Sequence, residues 1–454
     1  MLNVEIVSLG DYCVIESGFA FKSAKFTDAP DDICLVKGSN LGHLNIDWVT
    51  GPKWPADDYE KLKRYELIED DVVIAMDRPI VGGNLKFAWI QKTDPKALLV
   101  QRVARLRGRN GLDQKYLKCV IADPSFQSYI DTITTGVNVP HISGPDMRRY
   151  KFPLPPLSTQ QKIDRILSAY DELIENNLKR IKLLEEMAQI TYEDWFVRMK
   201  FPEYERAVID PETGLPKGWV KKKLDEVFDF SNGHAFYTKG YSEEGYDVID
   251  LGNVSISSDL LITGKEKKIS SELYRQSEKF HLNKYDVVIA MTDMTKELGI
   301  LAKSAIIDRN NKYVLNQRVG RVRPKGHSFD FSFIYATLND PRFIGTMHSL
   351  SKGAVQFYFN TKDIVDYEIT LPPEDVINKF QCSYKPYLKT RLSLKKQNQL
   401  LKEARDILLP RLMTGMIDVE SLSLPKSESL TEKSQAEEDS PIASEFNVDD
   451  FVND

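Results

Sequence analysis

Two pairs of matched loops carry most of the side chains in this chain that could act on another molecule. Asp77, Arg78, Asn84 and Lys86 follow the run Asp71-Val72-Val73-Ile74-Ala75-Met76. Thr292, Asp293, Thr295 and Lys296 follow the identical run Asp286-Val287-Val288-Ile289-Ala290-Met291. A second loop, residues 134–141, holds Thr135, Asn138 and His141, and its match, residues 351–358, holds Lys352 and Gln356. Amide, guanidinium, ammonium, hydroxyl and imidazole groups in loops recognise by paired hydrogen bonds. Each of these residues also reads as an ordinary polar turn residue.

The groups that make or break bonds do not assemble in the sequence. There is no GxxxxGK followed by Ser or Thr, so no phosphate-cradling loop of that type. The Pro-Pro pairs at 155–156 and 372–373 each follow leucine, which cannot hydrogen-bond a base amino group as a base methyltransferase requires. Pro-Asp at 30–31 and 145–146 is not followed within roughly thirty residues by the acid-x-Lys triplet that a metal nuclease would show. The six histidines lack ligand spacing. The four cysteines lack any CxxC and read as reduced, structural thiols. Acidic pairs such as Asp70-Asp71 and Glu185-Glu186 read as solvated faces. No catalytic residue and no metal site are expected.

What positions the loops is a duplication. The Asp-Val-Val-Ile-Ala-Met run recurs at an offset of 215, Gln101–Arg107 recurs as Gln317–Arg323 at 216, and Leu154-Pro155-Pro156 recurs as Leu371-Pro372-Pro373 at 217. A slowly drifting offset describes two aligned halves with small loop insertions, and a period this long is a duplicated domain. Within each half, the β-branched run suits a buried strand. Residues 100–107 suit a strand with one basic face; Arg102, Arg105 and Arg107, with Arg318, Arg321 and Arg323, either hold phosphates or pair within the sheet.

Prolines at 153, 155 and 156 end the first strand-rich domain, and the period then changes. Ile163, Leu167, Tyr170, Ile174, Asn177, Ile181, Leu184 and Ala188 recur at alternating steps of four and three, a heptad seam. Ser158 with Gln161 suits a capping pair at its start. Carried over by 217, the seam becomes Phe380, Tyr384, Tyr387, Arg391, Leu394, Asn398, Leu401 and Arg405. Asn177 and Asn398 either break the apolar stripe and set register, or sit at its wet edge. The expected layout is a strand-rich domain at 1–156, a helical region at 157–200, a linker and second domain at 201–373, a second helical region at 374–417, and an acidic disordered tail at 418–454.

Net charge is −6, but Ser421 to Asp454 carries −7, which leaves the first 420 residues at +1. A balanced body with basic patches can hold a polyanion. No apolar run reaches membrane-spanning length and no leader is apparent, so the expected compartment is the cytoplasm.

The chain resembles the DNA-specificity subunit of type I restriction-modification systems. The resemblance rests on Gly18-Phe19-Ala20-Phe21-Lys22-Ser23, its partner Gly233-His234-Ala235-Phe236, the duplicated Asp-Val-Val-Ile strand, and the Leu-Pro-Leu-Pro-Pro-Leu-Ser-x-Gln-Gln-x-Ile run at 154–163. Leu215–Trp219 and Ala404–Leu412 complete it, over roughly residues 1–417. The resemblance implies an α+β fold with two target recognition domains separated by two long helices paired as an antiparallel coiled coil. It implies a non-catalytic subunit that reads double-stranded DNA. Two DNA methyltransferase subunits would dock on the helices and restriction motor-nuclease subunits would join them. S-adenosylmethionine, ATP and magnesium would then belong to those partners. A stand-alone DNA-binding regulator with duplicated recognition domains is the alternative.

On that reading, Asn and Gln pair with adenine and Arg and Lys with guanine. The base-reading candidates are Arg78, Asn84, Lys86, Thr135, Asn138, His141, Thr295, Lys296, Lys352 and Gln356. Matched loops of different chemistry predict unlike half-sites. Residues 163–188 span about 39 Å as helix, roughly one turn of DNA at ~3.4 Å per base pair.

Overall fold

A computed structural model of the chain describes residues 5–135, 140–237 and 240–422. It divides into two compact units, residues 1–172 with 402–454, and residues 173–401. The division crosses both long helices. Each unit is therefore one strand-rich domain plus a segment from each helix, whereas the expected limits at 157, 201 and 374 follow element ends.

The two units repeat one topology. In the first, Cys13–Ser17, Val103–Gly108, Val72–Ala75 and Phe87–Trp89 form a four-stranded antiparallel sheet. In the second, Phe228–Asn232, Val319–Pro324, Val287–Ala290 and Ser304–Ile306 do the same in the same order. Each unit adds a second, mixed sheet built on one parallel pair: Ile33–Val36 with Ala97–Leu99, and Tyr246–Ile249 with Tyr313–Leu315.

The β-branched run is apolar throughout because both faces are covered. Val72 and Ile74 enter one core with Leu106, Tyr116 and Phe126, while Val73 and Ala75 enter another with Val36 and Leu99. Val287 and Ile289 against Val288 and Ala290 repeat the division.

The glycine that opens each Gly-x-Ala-Phe motif has a physical cause. A Cβ at Gly18 would lie 2.3 Å from the Leu99 carbonyl oxygen, and one at Gly233 would lie 2.1 Å from that of Asn316. At both places the chain crosses against a backbone bridge, Phe19 with Val100 and His234 with Asn316.

Two expectations are corrected. The arginine-bearing strand starts at Val103, not residue 100, because Arg102 turns the chain with φ 72°. Asp71 is no solvated acid: it is 2% exposed and takes a two-pronged bond from Arg107, Nε to Oδ1 at 2.5 Å and Nη2 to Oδ2 at 2.7 Å. Asp286 and Arg323 repeat this at 2.6 Å and 2.6 Å. Arg105 and Arg321 are buried and donate to the carbonyl oxygens of Glu66 and His281 at 2.8 Å and 2.9 Å. Of the six duplicated arginines, only Arg102 and Arg318 stand exposed.

The long helices, Leu157–Phe196 and Glu374–Met413, run antiparallel. In the second unit Asn177 meets Asn398, Glu185 meets Arg391 and Phe196 meets Phe380, so numbers rise on one helix as they fall on the other. In the first unit Asp171 binds Arg405 at 2.6 Å, and Thr159 donates to Glu420 at 2.8 Å. Ile163, Leu167, Ile174, Asn177, Ile181, Phe380, Leu394 and Asn398 are buried. Tyr170, Leu184, Tyr387 and Leu401 are half-buried.

The second seam departs from the carried-over one. Leu388, 2% exposed, takes the core place beside Tyr387, and Arg391 is buried because it finds acids. It binds Glu185 at 2.6 Å and Asp259 at 2.5 Å, with the Tyr335 hydroxyl at 3.1 Å. Burial works to lower the Arg391 pKa; Tyr335, Asp259 and Glu185 outweigh it, and the net shift is upward. At the end of the second helix, Val419–Ser421 forms a 3-10 turn with Val419 buried, so residues 418–422 are folded rather than part of a tail. The remaining acidic segment lies outside the described residues.

Candidate nucleic-acid interface

In each unit the two candidate loops are held to one another by backbone pairing. In the first, His141 bridges to both Asp77 and Thr135, and Arg78 N donates to the Pro140 oxygen at 2.6 Å. In the second, Thr292 and Asp293 pair with Tyr358 and Phe357, and Tyr358 also bridges to Lys352. The sequence matches 77 with 292, 135 with 352, and 141 with 358. The fold thus builds the same three-pass ladder twice and varies its side chains.

Within the first ladder, Asp77 is an organiser. It accepts from His141 Nδ1 at 2.7 Å and lies 3.7 Å from Arg102 Nε. Beyond it, Ile80–Val81 and Asn84–Leu85 form a hairpin whose turn is Gly82-Gly83, both with positive φ, which a two-residue turn of this hand requires. That hairpin presents Arg78 and Asn84 to solvent. Lys86 instead turns inward, where its ammonium binds the Gly38 carbonyl oxygen. Burial, then the neighbouring Arg78, lowers its pKa. Asn138 lies outside the described residues.

In the second ladder Asp293 does the organising. It is 2% exposed and accepts from Thr295 N at 2.8 Å, Ile300 N at 2.9 Å and Leu301 N at 3.3 Å. Burial pushes its pKa up, but these bonds outweigh it and hold the carboxyl below its usual value. The Thr295 hydroxyl is spent on the same carboxylate at 2.9 Å. Lys296 and Lys352 remain exposed, and Gln356 is half-buried. Arg78, Asn84, Thr135 and His141 are therefore gathered at one ladder, and Lys296, Lys352 and Gln356 at the other. Sequence reasoning left Arg102 off the base-reading list, yet its exposed turn position lies beside Asp77. It also passed over Met294 and Val355, exposed at the second ladder.

Among the described residues, no three His, Cys, Asp or Glu side chains converge as a metal-binding set. His43, His281 and His348 each bond a backbone carbonyl oxygen, of Leu85, Tyr274 and Leu301. Among the same residues no helix is long and apolar enough to cross a membrane.

A duplicated α+β module beside two long antiparallel helices, with polar loops that vary on a constant ladder, has the layout of a sequence-reading protein. Comparison with known proteins agrees. The family model for the type I restriction modification DNA specificity domain matches residues 1–186 and 216–385, and the chain belongs to that family. The MjaVIII specificity subunit of Methanocaldococcus jannaschii is 26% identical over 382 residues, 81% of this chain and 84% of the relative. The MjaIX specificity subunit of the same organism is 25% identical over 325 residues, 69% of this chain and 71% of the relative. A crystal structure of a type I restriction-modification S subunit from M. genitalium shares the fold, with a TM-score of 0.58 at 14% identity, over 91% of this chain and 97% of that one. The chain is a non-catalytic DNA-recognition subunit of a type I restriction-modification system.

Proposed function

We propose that each recognition domain reads one half of a bipartite, asymmetric DNA target, and that the paired helices dock two DNA methyltransferase subunits. Restriction motor-nuclease subunits join that core. S-adenosylmethionine, ATP and magnesium act in those partners. The observation that carries the asymmetry is the contrast at matched ladder positions. His141 stands where the second unit has Tyr358, and Thr135 where it has Lys352. A hydrogen-bonding imidazole and a phenol do not select the same base edge, so a constant backbone with changed side chains reads different sequences.

The test is expression with the cognate methyltransferase, followed by mapping of modified adenines genome-wide. The expected target is two short, unlike half-sites separated by a few unread base pairs. A continuous or palindromic target overturns the reading. Inserting one heptad into both helices is expected to lengthen the unread gap; an unchanged gap shows that the helices do not set it.

A further inference from the structure

One feature of the second ladder is not explained by hydrogen bonding: it sets apolar side chains in water. Lys352 and Tyr358 bridge across the tip Gly353–Gln356. Gly353 has φ 110°, and a Cβ there would lie 2.0 Å from the Gln356 oxygen, so only glycine closes this tip. At its apex Val355 is 80% exposed. On the adjoining loop Asp293 turns into the protein, and the next residue, Met294, is 54% exposed. One ladder thus joins two loops that each carry an exposed apolar group, and Lys296, Lys352 and Gln356 lie on the same two loops.

A single exposed apolar residue needs no explanation. Two on adjoining loops of a DNA-reading ladder do, because the matched positions of the first domain hold Asn138 and the Arg78-Pro79 step. In the major groove a duplex offers one apolar feature at a base edge, the 5-methyl group of thymine. Lysines for phosphate flank the pair, and the neighbouring Gln356 carries the amide that suits adenine.

We propose that the second recognition domain reads at least one thymine by packing its methyl group against Val355 and Met294, with Gln356 placed for an adenine of the same half-site. The proposal rests on the reading of these loops as the base-contacting surface.

The experiment uses the complete chain bound to its methyltransferase subunits and a duplex carrying the mapped target. Each thymine is replaced in turn by deoxyuridine, which removes only the methyl group, and affinity is measured by fluorescence anisotropy. One or two positions, all within one half-site, are expected to weaken binding about fourfold, the equivalent of burying one methyl-sized group. V355S or M294S is expected to bind the thymine and uridine duplexes alike. Val355 is exposed, so V355S leaves the fold intact, which circular dichroism checks. If no uridine duplex is weaker, or if both variants keep the full thymine preference, the methyl contact is refuted. K352A and Q356A separate that outcome from failure of the underlying reading. If they change binding or specificity while uridine does not, only the methyl contact falls. If they change neither, the loops do not face DNA and both fall together.

Discussion

The amide nitrogen of Asn177 donates to the amide oxygen of Asn398 at 2.9 Å, with both residues buried between the two long helices. Asn398 in turn donates to the Ile174 carbonyl oxygen at 3.3 Å. Two amides inside an apolar seam satisfy one another only at one axial alignment, so the pair selects a register at a cost in stability.

Replacing Asn177 alone by leucine leaves Asn398 buried with its partner gone, and is expected to destabilise the second unit by about 1–3 kcal/mol. Replacing both by leucine is expected to recover most of that loss. Urea denaturation of the wild type, both singles and the double mutant measures the coupling. Additive effects of the two substitutions would show that the amides do not act as a pair.

Arg391 and Lys395 share the same two carboxylates. Arg391 binds Glu185 and Asp259, while Lys395 lies 3.2 Å from Glu185 and also binds Asp259. R391M alone leaves Lys395 to compensate both acids and is expected to cost about 1–3 kcal/mol. R391M with K395M leaves the half-buried Asp259 without a cation, and the expected loss exceeds the sum of the singles. A thermal denaturation cycle decides: strict additivity contradicts the shared network.

The glycines that open the two Gly-x-Ala-Phe motifs should fail alike but in different places. G18A and G233A each push a methyl group into backbone, which cannot move aside cheaply, and a loss of roughly 3 kcal/mol is expected from each. Hydrogen exchange is expected to report the loss in residues 13–108 for G18A and in residues 228–324 for G233A. Protection unchanged in those strands would mean that the crossings relax.

Asp293 links the second ladder to pH. Its folded pKa lies below the ordinary value of 3.8, so its contribution is complete above that value and is lost as pH falls through the lower, folded value. D293N is expected to destabilise the loop at neutral pH and to reduce the fall in stability as pH drops below 3.8. Denaturation midpoints at several acidic pH values check this; parallel curves for variant and wild type would exclude a role for this carboxylate.

Much of the fold was legible because duplication exposes it. Asp71 and Asp286 could be matched by eye, and so could Gly18 and Gly233. What stayed hidden was the direction in which a side chain turns. Arg105 and Arg107 alternate as a basic face should, yet that face looks inward, onto the Glu66 carbonyl oxygen and Asp71. Lys86 was read as a loop cation and is anchored at Gly38, and Thr295 was read as a reader and caps a turn on Asp293. The burial of Arg391 could not be read from the stripe, because its partner Asp259 lies far away in sequence. Leu388 was missed because a constant offset cannot follow a seam whose second copy takes steps of four, four and three. Met294 and Val355 escaped notice because apolar residues are ordinarily assigned to cores, and only exposure identifies them as outliers.

The first unit is built from both ends of the chain. Leu409, Leu412, Met413 and Val419 pack in the same core as Ile163 and Leu167. Synthesis proceeds from the N-terminus, so a nascent chain on the ribosome carries its first recognition domain with that flank bare until the whole intervening unit has emerged. The nested unit can close first; the outer one is sealed only once the second long helix has left the exit tunnel, and a product terminated before it would strand an incomplete core.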